Sequence, residues 1–275
     1  MDAYEIKQLQ RQVSKLQLEA KLRKSVANEL ERQKNLVQKA RDEAEEQRVK
    51  FEKASERLSQ YLSPQICEQI LGAEEFSGLE TNKKNLTIFF SDIVDFTALS
   101  ERMSADELKN FLNFYMTKMS NIAIEFGGTI DKYIGDSIMV FFGDPDTAGE
   151  SEDAKKCFRM ARRMQETLEN CRVQIKDDFK LHEPLRIRIG IHSGRCSVGN
   201  FGSKHRLEYT AIGRAVNVAA RLEKACEQDG ILCSDLTAAL LQDDAVNLRL
   251  RHVKAKGVDG LIKAFQWNIR DVIKR

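Results

Sequence analysis

The chain has 275 residues, 42% hydrophobic and 31% charged, enough for one globular domain of ordinary size and an extended segment. Its 44 basic and 42 acidic side chains leave a formal net charge of +2, which favours neither nucleic acid nor an anionic membrane as a partner. No apolar run reaches the roughly 18–20 residues that span a bilayer, the N-terminus lacks a signal-peptide pattern, and the six cysteines form no CxxC pair, so we expect a cytoplasmic protein with reduced thiols.

Residues 1–62 contain neither Gly nor Pro and are rich in charged side chains, as is typical of a long exposed helix. With Ile6 at heptad position a, the d positions include Leu9, Leu16, Leu30, Val37, Ala44, Phe51 and Leu58. Polar side chains interrupt the a positions at Lys34, Arg41 and Arg48. A helix of roughly 90 Å is too long to stand alone. We therefore expect a parallel dimeric coiled coil that receives a signal; the alternative is a single charged helix supported by i,i+4 ion pairs.

Ser63-Pro64 ends the helical pattern, and we interpret residues 63–84 as a connector to a domain at 85–275. There the pattern predicts helices at 104–126, 152–170 and 215–226, and strands at 86–90, 129–134, 137–142, 185–192, 196–201, near Tyr209 and at 264–269. Residues 135–136 and 193–195 are predicted to be hairpin turns. This order predicts an α+β fold with a ferredoxin-like βαββαβ core and additions.

Two aspartates occupy positions where side chains emerge from a sheet. Asp92 directly follows the first strand, and Asp136 lies at the tip of the next hairpin. If they converge, they suit Mg²⁺ or Mn²⁺; the alternative is that both are ordinary turn residues. Residues 93–97 join a strand to a helix and can offer backbone N–H groups to phosphates, although the P-loop and GxGxxG patterns are both absent.

Basic and amide side chains form a second group of candidates. Lys132 shares a predicted strand face with Ile130 and Ile134, which suits either a ligand contact or a lysine that reaches solvent at a sheet edge. Arg214, Asn217 and Arg221 are spaced along one helix face, which suits a site or a solvated stripe. Lys254 and Lys256 precede Gly257 in a predicted turn.

These segments together resemble the catalytic domain of class III nucleotidyl cyclases, the bacterial adenylyl cyclase type in particular. The resemblance runs from about residue 85 to the C-terminus. Its motifs are FFSDIVDFT (89–97), DKYIGDSIMVFF (131–142), GIHSGRCSVGNFG (190–202) and EYTAIGRAVNVAARLE (208–223). Their order and spacing match the family.

The resemblance implies a role for each candidate. The metal ligands would be Asp92, the Ile93 carbonyl and Asp136, holding two Mg²⁺ or Mn²⁺ ions. Lys132 and Thr210 would select the purine, Phe96 and Thr97 would contact substrate, and Lys256, with Lys254 as a competitor, would bind the triphosphate. Asn217 and Arg221 would stabilise the transition state. The implied reaction is conversion of ATP to cyclic AMP and pyrophosphate at two sites shared between the subunits of a homodimer.

Purine choice follows from hydrogen-bond polarity. Lysine can only donate, adenine N1 can only accept, and guanine N1 carries a hydrogen, so Lys132 favours ATP. Thr210 departs from the Asp that many family members have, and Arg214 departs from the usual Asp or Asn. The alternatives are a guanylyl cyclase of the same fold and a non-catalytic nucleotide-binding signalling module. We also expect an upstream sensor domain or protein.

Overall fold

The computed structural model describes residues 3–59, 61–67, 81–254 and 261–273, and its contacts divide the chain into two compact units, Met1–Leu62 and Ser63–Arg275. The first unit is one helix, α1 (Ala3–Leu58). Apolar residues at its predicted d positions are exposed, Leu30 by 69% and Val37 by 68%. Within the described residues, no helix is long and apolar enough to cross a membrane.

The second unit is built on an eight-stranded sheet. Its strands are β1 (Asn82–Ile93), β2 (Thr129–Ile134), β3 (Ser137–Phe142), β4 (Ile187–Ser203), β5 (Arg206–Ile212), β6 (Gly230–Ser234), β7 (Arg249–Lys254) and β8 (Leu261–Asn268). Its helices are α2 (Phe96–Ser100), α3 (Ala105–Glu125), α4 (Glu150–Asn170), α5 (Arg172–Asp178), α6 (Arg214–Ala225), α7 (Asp235–Leu241) and α8 (Ile269–Ile273).

The order of strands across the sheet is β2-β3-β1-β4-β6-β8-β7, with β5 paired to β4. The first four strands, with α3 between β1 and β2 and α4 between β3 and β4, form the antiparallel βαββαβ unit. The predicted α+β fold with a ferredoxin-like core is therefore confirmed.

Strand β1 lies in the middle of this sheet and is buried on both faces. Phe89 packs with α3 and α4 in the larger core, and Phe90 packs on the other side with α6 residues such as Ala215 and Ala219. Burial on both sides explains why the strand is predicted from an unbroken apolar run instead of an alternating one. The same central position brings the end of β1 close to the β2–β3 hairpin.

Helix α3 begins where its sequence predicts. Ser104 accepts from the amide of Glu107, whose carboxylate accepts from the amide of Ser104, so the predicted capping box is confirmed. The β2–β3 hairpin also turns at the predicted Gly135, whose φ of 65° suits glycine.

The predicted hairpin turn at residues 193–195 is wrong, because β4 is one continuous strand of 17 residues. It pairs with β1 from Ile187 to Val198 and with β5 from Ser197 to Ser203. Gly194 lies inside the ladder, where an added Cβ would come within 3.2 Å of the Ala215 Cβ. The glycine therefore allows close packing of α6 on the sheet, and the chain reverses later, between β4 and β5.

Candidate active site

The structure brings Asp92 and Asp136 together at one end of the sheet. Strands β1 and β3 are antiparallel neighbours, with Ser91 opposite Ile138, so the end of β1 meets the start of β3. The Ile93 amide donates to Asp136 Oδ2 at 3.0 Å, and the Ser137 hydroxyl donates to Asp92 Oδ1. We refer to Asp92 and Asp136 as the aspartate pair.

The electrostatics of the aspartate pair suit a cation. Burial and the neighbouring Asp92 raise the pKa of Asp136 to about 6. Two neighbouring carboxylates that repel one another provide oxygen ligands for a hard divalent ion. In the described part of the chain, no cluster of three or more His, Cys, Asp or Glu side chains could hold a metal. Further ligands would therefore come from a main-chain carbonyl, water or the substrate.

Arg188 and Glu223 surround the aspartate pair and were missed by the sequence analysis. Arg188 donates from Nη2 to Asp92 Oδ2 at 3.0 Å, and its Nε lies 3.4 Å from Glu223 Oε1. Burial, with the nearby Asp92 as a lesser cause, raises the pKa of Glu223 to about 7. One guanidinium thus compensates two carboxylates. An arginine between Ile187 and Ile189 in a predicted strand was the available signal.

Three other predicted residues line one groove of about 850 Å³ beside β2, β5 and α6, here called the β2–β5 groove: Lys132, Thr210 and Asn217. Its rim includes Ile134 and Ile212, which are 54% and 49% exposed. Among the described residues that line this groove, neither member of the aspartate pair is present.

The position of Lys132 depends on an irregularity in β2. The register shifts by one residue, so that Ile130 lies opposite Val140 and Lys132 lies opposite Met139. Ile130 packs in the larger core with Val140, whereas Lys132 and Met139 line the β2–β5 groove. The prediction that Lys132 shares a face with Ile130 is therefore wrong, because the β-bulge rotates the strand by one residue.

Two carboxylates flank Lys132 in the groove. Its ammonium lies 3.0 Å from Glu208 Oε2 and 3.4 Å from Asp131 Oδ1. The side chain of Asp131 is fully buried and accepts hydrogen bonds from the Thr210 hydroxyl at 2.7 Å and the Ala211 amide at 3.1 Å. Asp131 was not predicted from the sequence, because the bulge that turns it inward has no local signal.

Most of the other predicted site residues lie on α6, α2 and β7. Helix α6 follows Gly213 and carries the exposed Asn217 and the half-buried Arg221. Phe96 and Thr97 form the first turn of α2. Lys256 lies outside the described residues, and Lys254 is the last residue of β7.

Comparisons with known proteins agree on one family. A model described as the adenylate and guanylate cyclase catalytic domain matches residues 80–268. An adenylate cyclase of Anabaena cylindrica is 32% identical over 206 residues, which is 71% of this chain and 39% of that protein. The crystal structure of the adenylyl cyclase CyaB from P. aeruginosa is similar at 44% identity, with a TM-score of 0.64, covering 68% of this chain and 95% of that chain. The guanylyl cyclase Cya2 is similar at 32% identity, with a TM-score of 0.61, covering 68% and 92%.

The curated relatives are longer proteins. The chain spans 9%, 39% and 29% of the lengths of three adenylate cyclases that it matches, from Dictyostelium discoideum, Anabaena cylindrica and Rhizobium meliloti.

Proposed function

This chain belongs to the adenylate and guanylate cyclase catalytic domain family, and from that premise we propose that it converts ATP into 3′,5′-cyclic AMP and pyrophosphate. The observation that carries the proposal is the aspartate pair. Asp92 and Asp136, far apart in sequence, converge with their repulsion offset by Arg188. Such a pair is costly to a fold unless it serves a cation.

Asp92, Asp136 and the Ile93 carbonyl would hold two Mg²⁺ or Mn²⁺ ions. Bound ions of this kind lower the pKa of a ribose 3′-hydroxyl and neutralise charge on phosphate oxygens. Ser137 and Arg188 each bond one oxygen of Asp92, and the Ile93 amide bonds one oxygen of Asp136, so three contacts restrict how the carboxylates can rotate.

The remaining residues act on the nucleotide in this proposal. Lys132 and Thr210 bind the purine edge in the β2–β5 groove, and Asn217 orients the ribose. Arg221 and Lys256 counter the negative charge that grows on the phosphates in the transition state. Phe96 and Thr97 contact the substrate at the first turn of α2.

We propose that two copies of the chain complete each site. Neither Asp92 nor Asp136 is among the described residues that line the β2–β5 groove, and this lining includes two exposed apolar residues, Ile134 and Ile212. A second copy that covers this rim would bring its aspartate pair to the groove and give two equivalent sites. Helix α1, with apolar residues at its d positions, would join the copies as a parallel coiled coil.

Cyclic GMP synthesis is the alternative, favoured by the similarity to the guanylyl cyclase Cya2. Lys132 argues against it, because an ammonium group cannot accept a hydrogen bond from guanine N1. The test incubates purified protein with ATP or GTP and Mn²⁺ or Mg²⁺, and identifies the product by mass spectrometry. We expect cyclic AMP as the main product. Faster turnover of GTP would replace the proposal with a guanylyl cyclase, and nucleotide binding without turnover would indicate a non-catalytic module.

We further propose a cytoplasmic location and an upstream sensor. All six cysteines are free thiols, as a reducing compartment maintains. The polar a positions at Lys34, Arg41 and Arg48 would weaken the middle of the coiled coil, so that a signal could change its register. Replacing them with leucine should hold activity at one level. A variant that responds to the native signal like the wild type would contradict this.

A further inference from the structure

The residue type of Thr210 does not by itself decide between adenine and guanine, because a hydroxyl group can either donate or accept a hydrogen bond. A threonine at this position could therefore accept from the 6-amino group of adenine or donate to the 6-oxo group of guanine. The neighbours of the hydroxyl decide which of these it does.

The hydroxyl of Thr210 has one hydrogen, and the structure directs it away from the groove. Thr210 Oγ1 donates to Asp131 Oδ2 at 2.7 Å. Asp131 Oδ2 also accepts from the Ala211 amide at 3.1 Å. An ionised carboxylate can only accept, so the direction of the Thr210 bond is set. What Thr210 can still offer to a ligand in the groove is a lone pair.

Asp131 also acts on Lys132. Its Oδ1 lies 3.4 Å from the Lys132 ammonium, and within the described part of the chain this atom has no hydrogen bond. Burial raises the pKa of Asp131, and the bonds from Thr210 and Ala211 and the charge of Lys132 oppose that rise. The β-bulge places Asp131 and Lys132 on the same side of β2, which an undistorted strand would not do.

Thr210 and Lys132 therefore present one acceptor and one donor in fixed order. Adenine offers the matching pair, an amino group that donates and an N1 that accepts. A 6-oxo purine offers the opposite pair, an oxygen that accepts and an N1–H that donates, so both bonds would fail. A site that leaves buried polar groups unpaired with the wrong ligand discriminates strongly against it.

We propose that Asp131 is a specificity-determining positioning residue, which commits the Thr210 hydroxyl to accepting and so selects a 6-amino purine over a 6-oxo purine. This inference rests on the proposed cyclase function. It assigns the choice of nucleotide to a buried carboxylate that need not touch the substrate.

The test compares ATP with inosine triphosphate, whose base carries the 6-oxo group and the N1–H but lacks the 2-amino group of guanine. Asp131→Leu removes the acceptor, and Thr210→Val removes the hydroxyl. We expect each to lower the ATP-to-ITP ratio of kcat/KM by about tenfold, the effect of one hydrogen bond of about 1.4 kcal/mol. The double variant should lower it no further than either single variant, because Asp131 acts through that hydroxyl.

Asp131→Asn is the matched control. Its amide oxygen can still accept from Thr210 and Ala211, so the ratio should stay within about twofold of wild type. If circular dichroism shows that Asp131→Leu does not fold, Asp131→Ala gives the same comparison without added volume.

Two results would overturn the inference. One is an equal loss of kcat/KM for both nucleotides in Asp131→Leu or Asp131→Ala, which is the effect of a purely structural role. The other is full additivity with Thr210→Val. Dissociation constants for methylene-bridged ATP and ITP analogues, measured by calorimetry, give the same ratio without turnover. A wild-type chain that turns over neither nucleotide would therefore refute the proposed function but still leave Asp131 testable.

Discussion

The amide of Ile93 donates a hydrogen bond to Asp136 Oδ2 at 3.0 Å, although the two residues are 43 positions apart in sequence. This bond joins the end of β1 to the tip of the β2–β3 hairpin. It satisfies one oxygen of Asp136 from the main chain, which a side-chain substitution at position 93 would not remove. The aspartate pair is thus held by the sheet itself, with Arg188 and Ser137 as side-chain supports.

Asp136→Asn should separate activity from stability. The amide oxygen of the replacement asparagine can still accept from Ile93, but the repulsion with Asp92 disappears. The fold also no longer buries the carboxylate of Asp136, whose pKa is raised to about 6. We expect cyclase activity to fall at least about 100-fold. In the presence of a metal chelator, the melting temperature should rise by about 2–4 °C. For a domain of 150–250 residues, this corresponds to a gain of about 1 kcal/mol in the free energy of unfolding.

The control for that variant is Asp146→Asn, at an exposed position in the loop after β3. It should change neither the rate nor the melting temperature. A lower melting temperature for Asp136→Asn would show that the carboxylate stabilises the metal-free fold, contrary to the argument from repulsion.

Mixed dimers test whether the sites are shared. Asp92→Asn and Asn217→Ala should each inactivate a homodimer, since each removes one component from both sites. If the two variants are unfolded and refolded together in equal amounts, half the dimers contain one copy of each variant. In each of these mixed dimers, one of the two sites is intact. We expect about a quarter of wild-type activity. No recovery, with mixed dimers verified by native mass spectrometry, would place both residues in the site of a single chain.

His192 should make stability depend on pH. Its Nδ1 lies 2.8 Å from the Ser234 hydroxyl, and burial lowers its pKa from 6.5 to about 4, with Arg214 lowering and Asp235 raising it to a lesser extent. Above pH 6.5 the ring is neutral in both states. As the pH falls below 6.5, the unfolded chain takes up a proton that the folded chain does not, so stability is lost until about pH 4.

Urea unfolding at about pH 7.5 and about pH 5 measures this effect. The wild type should lose about 1–2 kcal/mol more than His192→Asn over that interval, since asparagine keeps a polar group near Ser234 but does not titrate. His205→Gln, at an exposed position, should behave as the wild type does. Equal losses in wild type and His192→Asn would mean that the half-buried histidine does not cause the loss of stability at acidic pH.

The d positions of α1 should control the dimer. Leu30→Glu with Val37→Glu puts charges on side chains that are 69% and 68% exposed in one chain and would be covered in a coiled coil. We expect the dimer dissociation constant to rise at least about 100-fold, given roughly 1.5–3 kcal/mol per buried side chain. Sedimentation velocity would measure this, and activity should become dependent on protein concentration.

The matched control changes outward positions that are also uncharged, with Ser25→Glu at heptad position f and Asn35→Glu at position b. It introduces the same two glutamates on the same helix, and should leave dimerisation intact. Equal dissociation by both pairs would point to net charge as the cause, and no dissociation by either would favour the solitary charged helix.

Short-range patterns in the sequence predicted most of the fold. The capping box at Ser104, the glycine turn at Gly135 and the apolar run before Asp92 each depend on a few neighbouring residues. Their locations were confirmed because such signals act within one turn of chain. The turn at Gly194 was wrong, because its glycine serves close packing against Ala215, and a partner 21 residues away leaves no mark beside it.

The sequence by itself determined the family, the βαββαβ order of the core, and the candidates whose roles remain predictions, Asp92, Asp136, Lys132, Thr210, Asn217 and Arg221 among them. The tertiary structure decided how these residues are oriented and charged. Asp131 became part of the site through a β-bulge, and Arg188 and Glu223 through pairing of β1 with β4 and packing of α6 on the sheet. The physical reason is that hydrogen-bond direction and charge compensation arise between groups that are distant along the chain, and are settled when the sheet assembles.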